Sequence, residues 1–218
     1  MRRIHEEWYR QLAAWLPDRP GPVVEIGSGG GGFSDTVPTA VRTDCPARPG
    51  IQLGVDATAL PFGGSSLRAL VLINVFHHLS RPREFLSGAL RALRPGGRVL
   101  LLEPWITPWS RFIYRTFHHE PCDPEATGWD TAVTSTLSGA NEALAWIVFS
   151  RDRARFEAEF PGLSLLSVRP QMPAIYLLSG GIASRPLAPG AAAPFLRWLE
   201  RPFDEKAAMF AAVVLERR

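Results

Sequence analysis

The chain has 218 residues, 46% of them hydrophobic and 21% charged, and a net charge of +3. That is enough apolar material for one well-filled domain and too much for wholesale disorder. The longest apolar run, residues 69–76, is interrupted by Asn74 and falls far short of the ~18–20 residues a membrane span needs.

The start, with Arg2, Arg3, His5, Glu6 and Glu7, lacks the apolar core of a secretory leader. Two cysteines make no disulfide framework, so a reducing, cytoplasmic setting is expected. The basic residues are nearly all arginine (Lys206 is the single lysine) and are scattered, so no nucleic-acid partner is expected.

Residues 3–16 place Ile4, Trp8, Leu12, Trp15 and Leu16 at helical spacing, and Pro17, Pro20, Gly21 and Pro22 end the pattern. Val23-Val24-Glu25-Ile26 reads as a strand running into the glycine cluster 27–32. Residues 33–40 allow a short helix. Strands follow at 40–43, ending on Asp44, and at 51–55, ending on Asp56. Residues 67–73 form a run suited to a strand buried on both faces.

A helix is expected over 82–93, with Ser80 as its cap and Pro82 in its first turn. Residues 94–97 break it before a strand at 98–103. From 104 to 150 the chain is rich in Trp, Phe, His and Pro and shows no strand. A helix at 151–160, a strand at 163–169, a helix at 193–201 and a strand at 208–215 complete the pattern. Alternating strands and helices describe a parallel α/β sheet.

Glycines just after a strand let the backbone turn sharply and approach a ligand, while the following helix offers free N–H groups. Two ligand classes use such a loop. Gly27, Gly29 and Gly32 satisfy the dinucleotide spacing, and Asp44 stands near the distance at which an acid binds a ribose diol. NAD and S-adenosylmethionine (SAM) both present that diol.

Three features separate them. Glu25 lies inside the strand, where an acid can help hold the ammonium of SAM. Residues 55–57 put a second acid, Asp56, at a strand end, placed for an adenine amino group. Residues 93–100 are a helix–turn–strand entry without a phosphate-binding role.

On these pieces, in this order across residues 22–103, the chain resembles the class I SAM-dependent methyltransferases, specifically the methyltransferase type 11 group. The resemblance implies an α/β, Rossmann-like three-layer sandwich. Its mostly parallel seven-stranded sheet would end in an antiparallel strand and carry an inserted helical lid. It divides the single domain into an N-terminal lid helix (1–17), a cofactor-binding half (22–103) and substrate-cap insertions (104–150 and 171–203). Carried over by motif, Glu25, Gly27, Ser28, Gly29 and Gly31 fall at the loop and methionine end. Asp44 falls at the ribose, Asp56 and Ala57 at the adenine, and Asn74 at the sulfonium end. One departure stands out: only eleven residues separate Asp44 from Asp56, leaving little room for the usual connecting helix. Either the connection is a bare turn or the strand register differs.

The activity implied is methyl transfer from SAM to a small, hydrophobic organic acceptor. The alternatives are an NAD-dependent oxidoreductase and a non-catalytic SAM-binding module. Methyl transfer is an in-line displacement, so positioning does most of the work and a base is needed only for a weakly acidic nucleophile. His77, His78, His118 and His119 are the candidate bases. Trp8, Tyr9, Trp105, Trp109 and Glu120 are expected to line the substrate side. No metal is expected: His118, His119 and Glu120 are adjacent, so they point different ways and make poor co-ligands without a partner from elsewhere. The aromatic insertion would also suit a homodimer contact.

Overall fold

The computed structural model describes residues 2–131, 140–181 and 190–218. The expected cap segments include 132–139 and 182–189, which lie outside the described residues. In chain order the elements are α1 (Arg2–Ala13), β1 (Val23–Ile26), α2 (Phe33–Thr36), β2 (Ala40–Asp44), β3 (Leu53–Gly54), β4 (Leu67–Ile73), α3 (Pro82–Ala92), β5 (Leu93–Pro104) and α4 (Pro108–Phe117). The short helix α5 (Leu144–Trp146) runs into a π-helical turn at Ile147–Arg151. Then come α6 (Arg153–Glu159), β6 (Leu163–Gln171), α7 (Ile175–Leu178), α8 (Ala193–Glu200), α9 (Asp204–Ala207) and β7 (Phe210–Arg217). Among the described residues no helix is long and apolar enough to cross a membrane.

All seven strands form one sheet in the order β3-β2-β1-β4-β5-β7-β6. The first five run parallel. β7 is antiparallel to both β5 and β6, which is the reversed strand the resemblance implied. The strands at the centre need no polar face: β1 is buried at every residue, and Ala69, Leu70, Val71 and Leu72 of β4 are fully buried. The chain lays strands outward from β1 to β3, returns to β4 beside β1, then proceeds the other way to β5. The order therefore reverses between β1 and β4. Right-handed crossovers place α2 and α3 on opposite faces there, leaving a crevice at the carboxyl ends of β1 and β4.

Several expected boundaries shift for identifiable reasons. The β2–β3 connection is a bare turn. Register is kept, with Thr43 opposite Leu53 and Asp44 opposite Gly54, and Val55 N–H donates to Asp44 O at 3.1 Å. β3 is shorter than expected because it is a solvent-exposed edge. β5 begins at Leu93, five residues early, since the 94–97 turn is absorbed as a register shift against Leu67 and Ala69. Arg81, not Ser80, precedes α3, and no side chain caps it; Ser80 O instead accepts from Thr131 N–H.

The apolar stripe of α1 is core. Ile4, Trp8 and Leu12 are buried, and the Trp8 ring lies 5.0 Å from Phe210 and 6.1 Å from Tyr176. Its Nε1–H reaches Met172 Sδ at 3.0 Å. This corrects the expectation that Trp8 lines the substrate site. Trp105 is likewise buried, with its N–H on Met209 O, and Trp109 turns outward to donate from Nε1 to Pro173 O. Trp8→Ala removes a fully buried indole and should cost about 3–5 kcal/mol in urea unfolding, with the native far-ultraviolet circular dichroism retained.

Candidate active site

The glycine loop leaves β1 at the crevice. Gly27, Gly29 and Gly31 have φ of 66°, 51° and 68°, a region that a side chain disfavours. At Gly27 the need is doubled, because a Cβ would stand 2.6 Å from Val75 Cγ2. Over Gly29 and Gly30 a Cβ would meet nothing within 4 Å, so the loop's outer side is open. Ser28 ties the loop to β2: its N–H donates to Thr43 O at 2.8 Å and its Oγ accepts from Thr43 N–H at 3.2 Å. Thr43 Oγ1–H in turn donates to Glu25 O at 2.8 Å. The Arg42 guanidinium lies over Gly31, and the Tyr9 ring lies against Gly32 and edge-on to Phe33. Tyr9 therefore borders the loop and is absent from the neighbouring cavity's lining.

Glu25 is 3% exposed, and its Oε2 has no hydrogen-bond partner. Burial raises its pKa to about 7, against the weaker opposing pull of Ser28 and Arg42. A buried acid held that way is matched to a cation that would complete it. The Asn74 Oδ1 is also buried and unpartnered, at a φ of 55° where β4 ends. Asp44 is half-buried and accepts from Cys45 N–H at 2.9 Å. Asp56 is exposed; its Oδ1 caps the turn at Ala57–Ala59, accepting from Thr58 N–H at 2.8 Å and Thr58 Oγ1–H at 2.7 Å, while Ala57 is buried. These residues fit SAM: an open glycine loop, an acid at each of two further strand ends, and a buried carboxylate oxygen without a donor.

Sequence reasoning missed Glu103, at the end of β5. It is fully buried, and its Oε1 accepts the N–H groups of Val75 at 2.9 Å and Phe76 at 2.8 Å. Its Oε2 accepts His77 N–H at 3.3 Å and lies 2.7 Å from His77 Nδ1. The signal was present, since β2 and the strand before Asp56 also end on acids. The carboxylate pair and burial leave His77 with a pKa raised to about 10, the acid contacts outweighing desolvation.

His77 and His78 share a cavity of about 170 Å³ with Asn74, His118, Glu120 and Glu142. Tyr114 and Tyr176 close it, and His119 stands exposed at its rim. His77 Nε2 lies 3.5 Å from Glu120 Oε2 and His78 Nε2 4.0 Å from Glu120 Oε1. His118 Nδ1 lies 3.2 Å from Glu142 Oε1. Burial, reinforced by the His77 charge, lowers the His78 pKa, and burial lowers that of His118. Glu142 was missed too; Asn141 N–H donates to His77 O at 3.0 Å and Glu142 N–H to Pro121 O at 3.0 Å, which sews the distant segment onto the site.

Two outcomes follow. Because Glu25 is raised from 4.5 to about 7 on folding, stability falls as pH rises through that window and stays low above it. Glu25→Gln should flatten this slope and make the ligand-free protein about 3 kcal/mol more stable at pH 8, read by urea unfolding from pH 4.5 to 8. Gly27→Ala should melt several degrees lower, from an unfavourable φ of about 1–2 kcal/mol and the Val75 collision.

A Methyltransferase domain family matches residues 24–101. The ubiquinone/menaquinone biosynthesis C-methyltransferase of Paracoccus denitrificans is 30% identical, across 46% of this chain and 49% of its own. The chain spans about half the length of the curated relatives it matches. Two solved structures align over the whole chain. A SAM-dependent methyltransferase from Archaeoglobus fulgidus does so at a TM-score of 0.60, with 13% identity and 95% of that chain covered. Geranyl diphosphate C-methyltransferase from Streptomyces coelicolor, solved with Mg²⁺, geranyl diphosphate and S-adenosyl-L-homocysteine, does so at 0.57, with 12% identity and 82% covered. Residues 24–101 thus match the Methyltransferase domain family, and the sheet order is that of the Rossmann-like methyltransferase fold these solved structures share.

Proposed function

We propose that this protein transfers a methyl group from SAM to a small organic, hydrophobic acceptor. The observation that carries the reading is the buried, unpartnered Glu25 Oε2 beneath an open glycine loop, at the sheet's reversal point. SAM supplies an electrophilic methyl group. The chain's part is to grip the two ends of the cofactor and exclude water around the acceptor.

In this reading Glu25 meets the ammonium, with Gly27, Ser28, Gly29 and Gly31 turning the backbone around the methionine end. Asp44 accepts from the ribose diol, and Asp56 with Ala57 borders the adenine. Asn74 stands at the sulfonium end, next to the cavity of His77, His78 and Glu120. The acceptor enters there. His78, His118 and His119 would orient it or receive its proton, and His77, held charged by Glu103 and Glu120, would orient it. Relatives named as C-methyltransferases of quinone biosynthesis and of geranyl diphosphate support a hydrophobic small molecule.

Calorimetry tests the cofactor reading. SAM and S-adenosylhomocysteine should bind, and NAD should give no heat. Because the ammonium favours the ionised acid, SAM should bind more tightly as pH rises from 5.5 to 8, with a proton released near pH 6. Glu25→Gln should abolish that dependence and weaken SAM roughly 10–100-fold at pH 8, the range of a buried charge-assisted hydrogen bond. NAD binding with SAM inert would overturn the reading.

A further inference from the structure

Adjacent His118, His119 and Glu120 need a partner from elsewhere in the chain to hold a metal, and the fold brings His77 and His78 to Glu120. One ligand atom each of His77, His78 and Glu120 lie within 4.8 Å of one another, brought together from the turn after β4 and the segment after α4. His118, Glu120 and Glu142 form a second set within the same distance, sharing Glu120.

Two imidazole nitrogens and one carboxylate are the donor set of a borderline divalent cation. Such an ion takes nitrogen and oxygen at about 2.0–2.2 Å, so its ligands stand roughly 3–4 Å apart. The separations of 3.5 Å from His77 Nε2 to Glu120 Oε2 and 4.0 Å from His78 Nε2 to Glu120 Oε1 put each imidazole at about that spacing from one oxygen of the carboxylate.

Two further features point the same way. Glu103 holds His77 by Nδ1 at 2.7 Å, which turns Nε2 toward the cluster. An outer carboxylate that fixes the tautomer and ring of a ligating histidine is a recurrent support of metal sites. Asn74 Oδ1, buried and without a partner, lines the same cavity. The cavity thus holds oxygen and nitrogen donors on several sides and space between them.

We propose that the cavity binds one divalent transition-metal ion, of the zinc class, through His77 Nε2, His78 Nε2 and Glu120, with Glu142 and His118 flanking it. Three protein ligands leave positions open toward Asn74, Tyr114 and Tyr176, where an oxygen of a bound small molecule completes the shell. That this oxygen belongs to the methyl acceptor rests on the methyl-transfer reading; metal binding itself does not.

The test uses the full chain, stripped with a chelator and titrated with Co²⁺. Visible absorption follows the bound ion, and Zn²⁺ competes in a second titration. One equivalent should bind with a ligand-field spectrum, and Zn²⁺ should displace it. Glu120→Gln and His78→Ala should each weaken binding by about tenfold or more while melting as cooperatively as the parent. SAM titrated into Glu120→Gln should bind as in the parent, which separates this inference from the cofactor reading. Absence of a stoichiometric Co²⁺ spectrum in the parent, or binding unchanged in both folded variants, overturns it.

Discussion

The Glu103 carboxylate is the joint on which the site depends. It stands at the end of β5 and collects three backbone N–H groups and one imidazole from the end of β4. A buried charge is tolerated only when its lone pairs are met, and here four donors surround it. That fixes the turn after Asn74 and aims His77. The same turn sets Val75 against Gly27, so the glycine loop and the histidine cavity are positioned by one another.

The site concentrates unsettled electrostatics on a well-packed sheet. Glu25 is buried with an oxygen unmet, and burial pushes the Glu142 carboxyl up while the His77 contact holds Glu120 well below the usual carboxylate range. The core strands beneath them are almost wholly apolar and support this locally costly arrangement. At Glu25 the ligand-free fold carries a cost that a cation at its unmet oxygen would offset.

Much of the structure of residues 22–103 was legible in the sequence because its signals are local. The glycine cluster, the strand before it and the acids at strand ends are short-range patterns, and the structure keeps them at the expected ends. The short link after Asp44 was readable as a bare turn or a register change, and pairing with β3 decided for the turn. The histidine cavity was less legible because it is assembled from afar. Asn141 reaches His77 across more than sixty residues and carries Glu142 to the cavity, and no period or spacing announces that contact. Trp8 and Trp105 misled for a related reason: aromatic residues near a site look alike in sequence whether they line a cavity or fill the core, and burial separates them only in three dimensions.

If the glycine loop and the histidine cavity are two halves of one site, a crystal structure of the protein grown with S-adenosylhomocysteine will show it. The ligand's ammonium is expected against Glu25, its ribose at Asp44 and its sulfur facing the cavity between Asn74 and His78. A ligand bound elsewhere, or lying in the loop with its sulfur turned away from that cavity, would contradict it.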